Sequence, residues 1–174
     1  ALGMLSTNCY VVENPDSQKV LIVDPGDSPL EIERQIDEID GDPEAILLTH
    51  GHYDHFCAAP GLKEHYPEIQ LMAAEKEVPL LSDPRKNYSA SAIGAPVTLQ
   101  PDRLLKEGDK IELDELEFTV WETPGHTAGC LTYFCGDAIF TGDTLFVQSC
   151  GRTDMYSSDF MDMVDSLTRL RSIK

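Results

Sequence analysis

The run His50-Gly51-His52-Tyr53-Asp54-His55 places three of the chain's five histidines inside six residues. With Asp54, it gathers four groups able to ligate a metal ion into one short turn. Neutral imidazoles suit Zn²⁺ and other borderline cations, and the carboxylate adds negative charge and a proton acceptor. A turn with a purely structural task gains nothing from crowded imidazoles, which repel one another when protonated and need partners when buried. A solvated polar loop is the plain alternative, so the run has to be judged by its context.

Three further segments supply that context. Val20-Leu21-Ile22-Val23-Asp24-Pro25-Gly26-Asp27 is an apolar run broken by Asp-Pro-Gly, the pattern of a buried strand ending in a turn. Trp121-Glu122-Thr123-Pro124-Gly125-His126-Thr127 sets a fourth histidine just past another strand, and Ala138-Ile139-Phe140-Thr141-Gly142-Asp143-Thr144-Leu145 sets a carboxylate past one more. The first cluster itself follows the apolar stretch Ala45-Ile46-Leu47-Leu48-Thr49. Four strands therefore end in Asp24, His50, His126 and Asp143. Loop ends held by a rigid sheet are where binding and catalytic groups concentrate. Alone, His126 or Asp143 reads as an ordinary turn residue; beside the first cluster, each reads as a ligand.

These segments, taken with Ser6-Thr7-Asn8-Cys9-Tyr10, Thr141 to Phe146 and Gly151-Arg152-Thr153-Asp154, run in order through nearly the whole chain. In them the chain resembles a metallo-β-lactamase-superfamily hydrolase, in the branch similar to glyoxalase II (hydroxyacylglutathione hydrolase). The resemblance implies a four-layer αββα sandwich. It implies a first metal on His50, His52 and His126, a second on Asp54 and His55, and Asp143 bridging both. The ions would be Zn²⁺ at two sites, with iron or manganese also compatible, and Asp54 would have a catalytic role. Two such cations can share a hydroxide and lower its pKa towards neutrality, for attack on the carbonyl of a small-molecule thioester such as an S-acylglutathione. A thiolate leaves readily and asks little of a general acid. Asp24 and Thr49 are read as partners that hold histidines in one tautomer, with turn formation and strand packing as the alternative. Asp143 stands where the superfamily's β-lactamases usually carry cysteine, which points away from lactam hydrolysis.

Two departures from the family pattern stand out. The chain opens on Ala1, where the family's first strand should be under way, and closes on Ser172-Ile173-Lys174, short of the Pro-Gly-His-Gly segment whose histidine completes the family's second site. The helical glutathione-binding domain of full glyoxalase II is not seen either. Residues 1–174 thus read as a single incomplete domain, missing a first strand and a C-terminal segment, with His65 a surface residue on a helix. Two other readings stay open. One is a mononuclear iron persulfide dioxygenase of the same superfamily, using His50, His52 or His126 and Asp143 around one Fe(II). The other is a degenerate relic that binds metal weakly.

Composition sets outer bounds. At 174 residues and 41% hydrophobic content, the chain can build one domain with a sizeable core. It holds no 18-residue apolar stretch for a membrane span, and its start lacks the marks of a signal peptide, so a cytoplasmic location is expected. Thirteen basic residues against 31 acidic ones give a net charge of −18. Only Arg85-Lys86 and the group Arg169, Arg171 and Lys174 are locally basic, which argues against the nucleases of this superfamily, since nucleic-acid binding needs a positive face. The five cysteines contain no C-x-x-C pair. Cys130 and Cys135 read as small buried groups in a reducing compartment, and Cys57 and Cys150, near the motifs but with no paired base, as packing groups. Oligomeric state is left open.

Strands and helices alternate along the chain. Ser28-Pro29-Leu30-Glu31 reads as a capping box, followed by a helix with Ile32, Ile36 and Ile39 on one face. A strand at 46–49, a helix over 58–66 and a strand near 69–73 come next. Ala74, Val78 and Leu81 suit a short helix against the objection of Pro79. Residues 82–102 read as a surface excursion able to line a substrate mouth. Segments 104–113 and 116–121 read as a hairpin around Asp114-Glu115, followed by strands at 130–134 and 138–141. The last helix carries Phe160, Met163, Val164, Leu167 and Leu170 on one face.

Overall fold

The strand β2 (Lys19–Val23) sets the architecture. Val20 and Ile22 point to one side, Leu21 and Val23 to the other, and all four are buried. A strand buried on both faces must lie in a layer covered on both sides. A computed structural model describes residues 1–173, so Lys174 of the basic C-terminal group lies outside the described residues. In it β1 (Tyr10–Glu13) pairs antiparallel with β2, and β3 (Asp42–Leu47), β4 (Gln70–Ala74) and β5 (Arg103–Leu105) extend the sheet in parallel. A second, antiparallel sheet contains β6 (Lys110–Leu113), β7 (Leu116–Glu122), β8 (Leu131–Cys135) and β9 (Ala138–Phe140) in that order.

Val20, Ile22, Ile46 and Leu71 pack against Ile32 and Ile36 of α1 (Pro29–Glu38) and Leu62 of α2 (Ala59–His65). On the other side Leu21, Val23, Leu47 and Leu105 meet Ile111, Phe118, Val120 and Tyr133 of the second sheet. The outer face of that sheet is covered by α5 (Phe160–Arg171), whose Arg169 guanidinium lies 3.9 Å from the centroid of the Trp121 ring. The layers run helix, sheet, sheet, helix, the αββα order expected from the sequence. Among the described residues, no helix is long and apolar enough to cross a membrane.

Several local expectations need correction. Segment 104–113 is two strands: a turn through Gly108, at φ +79, carries the chain from β5 at the edge of the first sheet to β6 in the second. Ser28 does not cap α1. Its backbone is left-handed (φ 55), its side chain makes no cap bond, and Pro29 with its preset φ starts the helix. Pro79 is accommodated in α3 (Val78–Leu81) because it occupies the first turn, where no helical N–H is lost. In α5, Met163, Ser166 and Leu170 are the buried positions, while Phe160 and Val164 are exposed. The small Ser166 is buried because its hydroxyl donates to the Pro124 carbonyl at 2.7 Å. Cys130 is buried as expected, but Cys135 is only half-buried.

Candidate metal centre

β2 and β3 run parallel with Val23 opposite Leu47, so the residues beyond them emerge side by side at one edge. There the carboxylate of Asp24 accepts from the Thr49 amide at 2.7 Å and from the Thr49 hydroxyl at 2.7 Å. The 3-10 turn Tyr53–His55 then folds the chain back, and His55 Nδ1 comes within 2.9 Å of Asp24 Oδ2. From the second sheet, β7 delivers His126, and a 3-10 turn over Gly142–Thr144 delivers Asp143.

The four loops meet. His52 Nδ1 lies 3.1 Å from His50 Nε2 and 2.9 Å from His126 Nε2. Asp143 reaches both halves, with Oδ2 3.3 Å from His126 Nε2 and Oδ1 3.2 Å from His55 Nε2. Among the described residues, two groups of atoms are close enough to share an ion: His50, His52 and His126, and His50, His55 and Asp143. Asp54 stands at the rim of the second group. Its Oδ2 is 3.6 Å from His55 Nε2 and accepts a 2.8 Å hydrogen bond from Thr7 Oγ1. His65 is remote and exposed, as expected, 3.5 Å from Glu33.

The partners of the outward-facing nitrogens decide what the inward ones present. His126 Nδ1 faces the Arg152 carbonyl at 2.9 Å. A carbonyl only accepts, so Nδ1 carries the proton and Nε2 turns a lone pair inward. His55 Nδ1 likewise donates to the Asp24 carboxylate. The Thr49 hydroxyl has given its hydrogen to Asp24, so at 3.1 Å it accepts from His50 Nδ1–H, and His50 Nε2 also turns a lone pair inward. Burial and the neighbouring imidazoles push His50 well below the ordinary histidine range and His52 down to about 3, so both of these rings stay neutral. Two inward lone pairs, from His50 and His126, meet at His52 Nδ1, out of reach of solvent. The donor set therefore fits a metal ion.

The other half is richer in negative charge. Burial opposes a proton on His55, but Asp24, Asp143 and Asp54 outweigh it and hold its pKa well above the ordinary value. Burial would raise the Asp143 carboxyl, yet the surrounding histidines, His55 foremost, bring it below its usual range. The His55 shift marks a place where positive charge is favoured, and the Asp143 shift keeps that carboxylate ionised.

A cavity of about 540 Å³ opens beside Asp54, His55 and Asp143, walled by Leu5, Tyr10, Ile139 and Phe146. Residues 82–102 do not wall it. Tyr88 from that excursion packs against His52 instead, with ring centroids 5.4 Å apart. Cys57 lies in a separate small pocket, its thiol pushed up to about 11 by burial and by Asp27 and Asp54, which leaves it a poor nucleophile. One buried group escaped the sequence reading. Glu77 is fully buried and accepts from the Gly51 amide at 2.6 Å, the Thr127 hydroxyl at 2.8 Å and the Gly129 amide at 2.9 Å. Nothing in Glu75-Lys76-Glu77 distinguishes it from a solvated charged turn.

Comparison with known proteins follows the same lines. The sequence profile of the Metallo-beta-lactamase superfamily matches residues 2–174. A hydroxyacylglutathione hydrolase of Erwinia tasmaniensis is 35% identical over 173 residues, covering 99% of this chain but only 60% of the relative's length. The crystal structure of the B3 metallo-β-lactamase BLEG-1 superposes with a TM-score of 0.88 at 34% identity, over 96% of this chain and 81% of that one. TTHA1623 in a di-iron-bound form superposes with a TM-score of 0.87 at 32% identity, over 99% of this chain and 85% of that one.

Proposed function

The chain belongs to the metallo-β-lactamase superfamily, and from that premise we propose that it is a metal-dependent hydrolase of a small-molecule thioester, working with two ions at the strand ends. The observation that carries this reading is the convergence of the ring nitrogens of His50, His52, His55 and His126 with the Asp143 carboxylate. His50, His52 and His126 would hold one ion, Asp54 and His55 the other, with Asp143 between them. Imidazoles mixed with carboxylates suit zinc. The di-iron form of a structural neighbour supports iron as an alternative. Bound at such a site, metal ions make water a nucleophile at neutral pH and polarise a carbonyl.

The protein's own groups do the rest. Asp24, Thr49 and the Arg152 carbonyl keep the imidazole lone pairs aimed inward. Asp54, held by Thr7 on the cavity wall, would accept a proton from the water that attacks. Beyond these groups the wall carries Ser6 and Thr141, whose hydroxyl donates to the Leu145 carbonyl at 3.0 Å, beside Leu5, Ile139 and Phe146. Such a wall suits a leaving thiolate, which needs little from a general acid. The likeness to a hydroxyacylglutathione hydrolase supports the thioester assignment, and the likeness to a B3 enzyme makes lactam opening the competing reaction.

The test is to load the protein with zinc or iron and compare three reactions. Thiol release from S-acyl thiols such as S-lactoylglutathione should outpace opening of a chromogenic cephalosporin. Faster lactam turnover, or no thiol release from any thioester, overturns the substrate assignment. Oxygen uptake with a persulfide in the iron form would favour the dioxygenase reading instead.

A further inference from the structure

A carboxylate fully out of water needs several donors to offset its lost hydration. Glu77 has three, and they come from two different loops. Its Oε2 accepts from Gly51, which sits between His50 and His52. Its Oε1 accepts from Thr127 and Gly129, just beyond His126. The first loop follows β3 of one sheet and the second joins β7 to β8 of the other, so the carboxylate spans the junction at its metal edge.

The two glycines fit this arrangement. A Cβ on Gly51 would stand 3.0 Å from Glu77 Oε2, and one on Gly129 only 2.6 Å from Glu77 Oε1. A side chain at Gly129 would displace the carboxylate, and one at Gly51 would press on it. Direct bonds also tie the sheets together here, from Leu131 N to the Thr49 carbonyl at 2.8 Å and from Tyr133 OH to the Leu48 carbonyl at 2.7 Å. Those fix the strand ends; Glu77 fixes the loops beyond them.

We infer that Glu77 is a positioning residue for the metal centre, clasping the loop of His50 and His52 to the loop of His126 so that their nitrogens share one ion. The inference rests on the metal-binding reading above. It predicts that an acceptor pair is required, and not merely a side chain of this volume. Glu77→Gln keeps the shape but turns an amide NH₂ towards N–H or O–H donors on one side or the other, opening half of the clasp.

The experiment measures Zn²⁺ affinity by competition with a chromophoric chelator, and the visible spectrum of the Co²⁺-loaded protein. Glu77→Gln should weaken zinc binding by about 10- to 100-fold and alter the cobalt spectrum, as loss of an outer support does. Gly129→Ala, at a position without positive φ, should act in the same direction by pushing the carboxylate away. Glu75→Gln, on the exposed face of the same turn, should leave both readouts unchanged. If the unaltered protein binds no zinc, the metal-binding reading itself falls. If it binds zinc and Glu77→Gln matches it in affinity and spectrum, the positioning role falls alone. Should the glutamine variant fail to fold, amide exchange in the unaltered protein decides: protection of Gly51 and Gly129 supports the clasp, and rapid exchange at Gly51 overturns it.

Discussion

Asp24 Oδ2 receives both the Nδ1–H of His55, at 2.9 Å, and the hydroxyl of Thr49, at 2.7 Å. Because Thr49 in turn holds His50, one carboxylate sets two imidazoles on the two halves of the site. Its backbone is left-handed, with φ +50, a conformation that Asn tolerates as well as Asp. Asp24→Asn therefore isolates the carboxylate from the turn. It should lower zinc affinity by about 10- to 100-fold in chelator competition. Unchanged affinity would mark Asp24 as a turn residue only.

Asp143 is the side chain that reaches both His55 and His126. Asp143→Ala removes an anion shared by both halves, so its effect should exceed the roughly 100-fold seen when an outer support is lost. Metal content by mass spectrometry and thioesterase rate should fall together. Near-normal turnover in this variant would exclude a bridging role.

Ions that bind the folded chain alone stabilise it by mass action. Zinc at about a thousand times its Kd should add about 4 kcal/mol. In a chain of this length, that raises Tm by about 8–16 °C in a thermal melt. The two halves differ in donors: three imidazoles converge in one, while His55 is joined by the carboxylates of Asp54 and Asp143 in the other. Calorimetric titration should resolve one tight and one weaker event. Two events of equal tightness would show that the donor sets are equivalent.

The outer helix has its own anchor. Arg169 stacks on Trp121 and pairs with Glu107, so Arg169→Ala should lower Tm by about 2–4 °C, the equivalent of roughly 1 kcal/mol, with zinc affinity unchanged. Arg169 holds the Glu107 carboxyl below its ordinary value. The pair's contribution is thus full above the usual glutamate range and is lost as pH falls through the lowered value. The difference in Tm between variant and parent should shrink in acid.

The candidate site was legible in the sequence because its proposed ligands cluster at strand ends, and strand ends are marked by where an apolar run stops. His50, His126 and Asp143 each follow such a run by a few residues. The tautomer-setting pair Asp24 and Thr49 was visible for the same reason. Glu77 was not, because its role depends on two loops from different sheets closing on it, and a buried glutamate looks no different in sequence from its exposed neighbour Glu75. The break between β5 and β6 escaped for a related reason. Lys106-Glu107-Gly108-Asp109 does carry a turn signal, but the tertiary pairing of Arg103–Leu105 with β4 is what shows that the chain changes sheets there. In α5, apolar periodicity named Phe160 and Val164, whereas the buried face is set by the close approach of Ser166 to Pro124.

The acceptor for His126 Nδ1 is the carbonyl of Arg152, 26 residues downstream, and the backbone of Met163 sits where a side chain on Gly125 would have to go. The orientation of that histidine is therefore written in chain that leaves the ribosome after it. A nascent polypeptide ending before residue 152 carries His50, His52 and His126 but not the contact that aims the last of them. The final orientation of His126 therefore needs chain as far as residue 152, and the turn that carries it needs α5 docked against Gly125.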